Sequence, residues 1–281
     1  MQNTFTLKAI FLRFKWQISL TLALVVIEAA LGIFYPLLIG IAINDLLESS
    51  YQGLYWLTGL GASSLIIGTA RRFYDTRAYA NIYRKTIVNM VDSEHQKLRP
   101  VSAISARSHL MTEFVEFFEN SIPEIVQSVI AIIGISIIVA MLNIKVFFAC
   151  LALLILILVI YLLTGNKNFH LNKNYNDELE KQVQAIESMK STTIKKHFNA
   201  LMRWNIALSD LETINYFIIW CGVIALFIYT PMIVIEEGIL TYGLVLSILM
   251  YVFDYIEKLT LMPLHIQQAI RLKEISQRFS K

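Results

Sequence analysis

SIPEIVQSVIAIIGISIIVAMLN, residues 121–143, and VFFACLALLILILVIYLLTGNKN, residues 146–168, are two long apolar runs separated by only two residues. A helix needs about 20 mostly apolar residues to cross the hydrocarbon core of a bilayer, and each run supplies them. Four further runs of this kind lie at about 17–44, 53–71, 214–235 and 239–260. The sequence therefore predicts an all-α, polytopic membrane protein with six transmembrane helices.

Composition excludes several other classes of protein. With 56% hydrophobic residues, 16% charged residues and a mean hydropathy of +0.58, the chain is too apolar for an ordinary soluble domain. Its basic residues alternate with acids along the chain, which argues against a nucleic-acid-binding surface. Cys150 and Cys221 both lie in apolar runs, and the histidines are dispersed. We therefore expect no disulfide framework, metal site, cofactor or catalytic group.

The distribution of positive charge predicts the orientation in the membrane. Of the 24 Lys and Arg residues, only Lys145 lies in one of the short connections between runs, 44–53, 143–146 and 235–239. The positive-inside rule then places both termini and the two long connections in the cytoplasm. We expect a multi-pass protein of a bacterial-type inner (plasma) membrane. Residues 1–16 are expected to form a cytoplasmic amphipathic elbow helix on that membrane, and 17–281 the six-helix domain.

The two long connections are predicted to be helical extensions of the spans. No Gly or Pro occurs between Thr69 and Arg99, so the second span should continue for roughly 40 Å beyond the membrane at about 1.5 Å per residue. Its reversal is expected near 99–108, because the residue before Pro100 avoids helical geometry. The second connection should be a hairpin that reverses near the Ser/Thr cluster at 188–193.

Several sequence segments together resemble the membrane domain of ATP-binding-cassette exporters, over essentially the whole chain. They are YPLLIGIAIND at 35–45, the basic residues of 71–85 followed by LRPVS at 98–102, the segment from DELE at 177–180 to KHF at 196–198, and LMPLHIQ at 261–267. The resemblance implies the exporter fold of the type I, or type IV-like, class with two long cytoplasmic helical hairpins. It also implies a domain-swapped dimer, either a homodimer or a heterodimer with a similar subunit, whose twelve helices enclose a central cavity.

The same resemblance implies two coupling segments, near 102–115 and 184–196, that would receive an ATPase. Their candidate residues are Arg107, His109, Glu113, Glu187, Lys190 and Lys195. The chain contains no Gly-x-x-x-x-Gly-Lys-Ser/Thr loop, so we expect no nucleotide-binding domain and no ATP binding by this chain. Any ATPase would then be a separate partner chain.

Glu28 is the leading candidate for a residue of the transport pathway. Counted from the basic residues near 13–15 at about 1.5 Å per residue, it lies roughly 16 Å into the membrane, near the middle. A carboxylate at that depth is costly and usually faces a bundle interior or a wet cavity. It could carry a proton or contact a cationic substrate, or it could be a structural group that holds neighbouring helices together.

The sixth run supplies the other pathway candidates, Tyr251, Asp254 and Glu257. In the exporters that the chain resembles, the sixth helix lines the pathway. Asp254 and Lys258 are four residues apart and share a helix face, so an internal ion pair is the alternative explanation for Asp254.

Three functions remain open at this point. The first is the translocating subunit of an exporter-like system with a separate ATPase. The second is a proton-coupled secondary transporter on the same scaffold, with Glu28 and Asp254 as the proton-linked carboxylates. The third is a membrane interaction or regulatory protein that transports nothing. An aromatic-rich apolar pathway with few acids favours an amphipathic or cationic substrate.

Overall fold

The computed structural model describes residues 11–96, 108, 111–113, 115–236, 238 and 241–280, with the backbone alone at 93, 94 and 270–280. In this part of the chain the structure is helical and contains no β-strand. A π-helical turn, Phe117–Ser121, leads into the fourth helix. The helices are α1 (Lys15–Ile33), α2 (Tyr35–Leu47), α3 (Gln52–Gln96), α4 (Ile122–Leu142), α5 (Ile144–Leu179), α6 (Gln182–Glu187), α7 (Ser191–Glu236) and α8 (Tyr242–Ser280).

Four helical stretches among the described residues are long and apolar enough to cross a membrane: Lys15–Leu47, Met111–Leu142, Ile144–Glu187 and Ser191–Glu236. They contain the first, third, fourth and fifth predicted runs, which confirms an all-α polytopic membrane protein. The second and sixth runs lie in α3 and α8, where hydroxyl and charged side chains dilute the apolar residues. Spans at 53–71 and 239–260 therefore stay predictions.

The first predicted run, 17–44, consists of two helices rather than one. α1 ends at Ile33, Phe34 joins the two helices, and α2 begins at Tyr35 with Pro36 in its first turn. Proline is accepted in a first turn because the N–H it lacks has no partner there, whereas in mid-helix it removes a hydrogen bond. The break follows from the position of this proline.

Contacts divide the chain into two compact units, which are described separately. The first unit comprises residues 1–142 and 238–281. Within it, α1 packs against α3 and α4, α2 packs against α3 and α8, and α4 packs against α8. Its buried core lies around the start of α1 and consists of Phe14, Ile18, Tyr79, Ile82, Met90, Met111, Val115, Phe117 and Phe118.

The crossing of α2 and α8 in the first unit depends on two glycines. Gly40 and Gly243 lie so close that a Cβ atom on either one would collide with the backbone of the other. This contact allows the two backbones to approach within hydrogen-bonding range of polar side chains. The crossing is secured by bonds from Gly243 N–H to Asn44 Oδ1 (2.8 Å), Ser247 Oγ to the Pro36 carbonyl (2.7 Å) and Tyr251 O–H to the Ile33 carbonyl (2.8 Å).

The second unit, residues 143–237, is a long antiparallel pair of helices, α5 and α7, joined through α6. α7 has 46 residues and at about 1.5 Å per residue is roughly 70 Å long, more than twice the thickness of a hydrocarbon core. The apolar run within α5 ends at about residue 168. The part of the hairpin between residue 168 and the reversal therefore extends beyond that run.

The long helical extensions agree with the sequence except at one point. α3 runs unbroken from Gln52 to Gln96, as predicted, while the expected reversal at 99–108 lies outside the described residues except for Ser108. Most of the expected elbow helix, residues 1–10, lies outside them too. In the second hairpin, α5 ends at Leu179, and the short helix α6 occupies part of the extension predicted to be continuous. The chain reverses at 188–190, at the start of the predicted turn, where Met189 has a φ of +51°.

Candidate functional site: a polar cluster between α1 and α3

Four polar side chains meet where α1 packs against α3, and we call them the polar cluster: Thr21, Glu28, Arg71 and Asp75. Thr21 and Glu28 are seven residues apart on α1, and Arg71 and Asp75 are four apart on α3, so each pair lies on one helix face. Arg71 Nε is 2.5 Å from Glu28 Oε2, and Arg71 Nη1 is 3.2 Å from Asp75 Oδ2. Thr21 Oγ donates to Asp75 Oδ1 at 2.8 Å.

The cluster is poorly exposed to solvent. The side chains of Arg71 and Glu28 are 15% and 27% exposed, and Thr21 and Asp75 are buried. One guanidinium thus lies between two carboxylates, and its planar array of donors reaches both. With all three groups ionised the cluster has a net charge of −1, which suits a proton or an organic cation. Among the residues described, no three His, Cys, Asp or Glu side chains converge as metal ligands.

A glycine on α3 makes room for the carboxylate of Glu28. A Cβ atom at Gly68 would be 3.0 Å from Glu28 Oε1, closer than an ordinary van der Waals contact. Gly68 is one turn before Arg71 on the same face of α3. The two residues therefore form the surface of α3 against which Glu28 packs.

The cluster brings together two residues that the sequence treated separately. Glu28 was expected near the middle of the membrane, and Arg71 ends the predicted run at 53–71. Their side chains are in contact, so α1 and α3 meet at these two positions. The depth of Glu28 in the membrane stays a prediction.

The other predicted pathway residues lie on α8, not in the polar cluster. Tyr251 is fully buried in the α2–α8 crossing described above. Asp254 is half-buried. The side chain of Glu257 is 61% exposed, and its Oε1 accepts from Lys258 Nζ at 2.7 Å. Lys258 thus forms its close ion pair with its immediate neighbour Glu257, and the alternative of an Asp254–Lys258 pair is not seen at bonding distance.

The predicted coupling residues fall in three groups. Glu187, Lys190 and Lys195 are exposed at the reversal between α6 and α7. Glu113 is partly buried shortly before the π-helical turn. Arg107 and His109 lie outside the described residues.

A second polar contact lies near the tip of the α5–α7 hairpin. The ring of His197 is buried, and its Nδ1 is 3.0 Å from Glu178 Oε1, so Nδ1–H donates to the carboxylate. Lys181 Nζ donates to Glu178 Oε2 at 3.1 Å. The hydrogen bond from Lys181, followed by the one from His197, lowers the pKa of Glu178 below its ordinary value. The contact fixes α7 against the last turn of α5.

Sequence reasoning singled out Glu28 but missed Thr21, Arg71 and Asp75 as its companions. A usable signal was present: an i, i+7 pair on one helix and an oppositely charged i, i+4 pair on another. That signal identifies two polar faces but does not show that they meet, because the register between α1 and α3 depends on tertiary packing.

The comparison with known proteins agrees with this architecture. Residues 7–243 match the family model described as ABC transporter transmembrane region. No curated protein matches the chain. The match covers most of the sequence, from before α1 into the start of α8, and includes the whole second unit. The chain therefore belongs to the family of ABC transporter transmembrane regions.

Proposed function

We propose that this chain is the membrane-spanning translocation subunit of an exporter-like ABC transporter. It works as a dimer of this chain or with a similar subunit, has its termini in the cytoplasm, and receives energy from an ATPase on a separate chain. Its substrate is an amphipathic or cationic compound. The coupling segments at 102–115 and 184–196 contact the ATPase.

The observation that carries this proposal is the construction of the second hairpin. α5 and α7 extend beyond their apolar runs and present α6 at the reversal. Val183, Ile186 and Met189 are exposed there, Met189 by 85%, alongside the charged Glu187 and Lys190. A short helix with apolar side chains and a charged rim, held away from the membrane by two long helices, is suited to docking in a groove of another protein.

The test is ATP-driven accumulation of a fluorescent cationic dye in inside-out vesicles from cells that express the chain. Ile186→Asp combined with Met189→Asp should lower accumulation by roughly ten-fold or more, since a buried apolar anchor typically contributes about 2 kcal/mol to an interface. The matched control is Phe169→Asp, an exposed apolar residue of the same hairpin away from the reversal. Equal losses in the two variants, or no ATP-dependent accumulation above vesicles without the chain, would contradict the proposal.

The polar cluster favours a second candidate, a proton-coupled transporter on the same scaffold. A proton carried by Glu28 would have to displace Arg71, and that exchange would loosen the contact between α1 and α3. Purified protein in sealed vesicles, with an imposed pH gradient and no nucleotide, tests this candidate. Dye flux that follows the gradient and disappears in Glu28→Gln supports it, while flux that requires ATP and persists in Glu28→Gln excludes it.

A further inference from the structure

A basic groove of about 670 Å³ lies in the first unit between the start of α1 and the middle of α3. Arg13 lines it from the α1 side, and the adjacent Arg84 and Lys85 line it from α3. Gln17 and Asn89 add side-chain amides, and Trp16 forms part of the rim. None of these residues belongs to the polar cluster or to the proposed coupling segments.

The charges of the groove require a negative partner. Arg13, Arg84 and Lys85 all carry positive charge, and no acidic side chain lines the groove among the residues described. The nearest acid along α3 is the exposed Asp92, one turn beyond Val88 and Asn89 and outside the lining. The Arg84 guanidinium and the Lys85 ammonium on α3, together with the Arg13 guanidinium on α1, can surround a phosphate. Each guanidinium can bind two phosphate oxygens at once.

The position of the groove indicates which phosphate it would hold. It lies beside the start of the helical stretch Lys15–Leu47, which is long and apolar enough to cross a membrane. Trp16 is 80% exposed there, and Phe11 and Leu12 are exposed just before it. Exposed tryptophan is typical of the boundary between hydrocarbon and headgroups, where one end of the ring is apolar and the other polar. A headgroup in the groove would leave its acyl chains beside the apolar surface of α1.

From this geometry we propose that the groove binds the phosphate headgroup of an anionic phospholipid in the leaflet where α1 begins. Arg84 and Lys85 contact the phosphate from α3, Arg13 contacts it from α1, and Trp16 packs beside the glycerol region. The bound lipid ties the start of α1 to the middle of α3. Basic clusters beside a membrane span are attracted to anionic lipid by the same charges.

Quenching of Trp16 fluorescence by brominated lipids tests the proposal. Trp56, Trp204 and Trp220 are replaced by Phe, so that Trp16 is the only tryptophan, and the protein is placed in nanodiscs that contain brominated phosphatidylglycerol or brominated phosphatidylcholine at equal fractions. We expect stronger quenching by phosphatidylglycerol. Arg84→Gln combined with Lys85→Gln should lower that preference by roughly twenty-five-fold, because each basic residue near an anionic surface contributes about five-fold.

Arg72→Gln combined with Arg77→Gln is the matched control, since both are exposed arginines of α3 outside the groove. This pair should leave the lipid preference nearly unchanged. Equal quenching by the two lipids, or an equal loss in the control, would overturn the proposal. Displacement of brominated phosphatidylglycerol by soluble glycerol phosphate would also overturn it, because the groove would then be a site for free anions.

Discussion

α1 with α3 in the first unit and α5 with α7 in the second are both antiparallel helix pairs, but their charged contacts lie at different places. Glu28 and Arg71 meet within the apolar stretch of α1, whereas His197 and Glu178 meet near the hairpin tip, beyond the apolar run of α5. Moving charges out of water is expensive, so an ion pair at membrane depth persists only if its partners compensate one another. A contact beyond the apolar run that includes an exposed partner, here Lys181, has less desolvation to offset and contributes less.

The comparison predicts unequal consequences when one partner is removed. In α1–α3, loss of Arg71 leaves the carboxylates of Glu28 and Asp75 beside each other without a cation. In α5–α7, loss of His197 leaves Glu178 with its second partner, Lys181, which is 61% exposed. Loss of a partner should therefore cost more free energy of unfolding in the first contact than in the second.

Arg71→Met should produce the largest effect. Methionine keeps much of the side-chain length but leaves Glu28 and Asp75 together without their guanidinium. Breaking a buried pair by removing one partner typically lowers the free energy of unfolding by about 3–5 kcal/mol. Denaturant titration of the purified protein in mild detergent measures this loss. Arg72→Met is the control, because Arg72 is exposed on the same turn. If both variants lose the same stability, the polar cluster has no special energetic role.

Gly68→Ala should have the next largest effect. The new Cβ would be 3.0 Å from Glu28 Oε1, so the carboxylate must shift away from Arg71. Crowding a packed site by one carbon should cost about 1–2 kcal/mol of unfolding free energy. Gly59→Ala on the same helix meets no atom within 4 Å and should be neutral or slightly stabilising, because alanine is the better helix former. Equal behaviour of the two variants would show that Glu28 does not need this space.

For α1 and α3, the sequence predicted the long helix and the unusual acid but not the contact between Glu28 and Arg71. The length of α3 followed from the absence of Gly and Pro, and Glu28 stood out because acids are rare in apolar runs. Arg71 ends the predicted run at 53–71, and the positive-inside rule counts such basic residues without asking what they contact. Glu28 and Arg71 are 43 positions apart, and only the packing register of the two helices brings them together.

The second unit was more predictable in outline and less in detail. Its long helices and its reversal near 188 followed from residue types. The end of α5 at Leu179 did not, because no Gly or Pro stands there and the residues around it, from Glu178 to Gln182, are good helix formers. The short helix α6 and the His197–Glu178 contact depend on how the hairpin closes, and no local pattern encodes that.

Asn215→Ala tests the contact that α5 and α7 make within their apolar runs. Asn215 Nδ2 donates to Thr164 Oγ at 3.2 Å, a bond between neutral groups. Hydrogen bonds between transmembrane helices contribute about 0.6 kcal/mol on average, so the loss of unfolding free energy should be well below that of Arg71→Met. Thr213→Ala is the control, since its exposed hydroxyl bonds only within α7. A loss as large as that of Arg71→Met would remove the contrast between the two helix pairs.

The smallest effect should come from Glu178→Gln, and it should depend on pH. Because the folded pKa of Glu178 is lowered, the folded state binds fewer protons than the unfolded state between the two pKa values. The contribution of the contact is therefore complete above the ordinary glutamate pKa of about 4.3 and is lost as the pH falls through the lowered value.

Hydrogen exchange of the α6 amides, compared between wild type and variant at each pH, measures this contribution. We expect weaker protection in the variant at neutral pH and convergence in acid, whereas the exposed neighbour variant Glu180→Gln should follow wild type throughout. A difference that persists in acid would mean that the amide disturbs packing rather than removing a charge, and the tip contact would then resemble the polar cluster more closely than its position beyond the apolar run suggests.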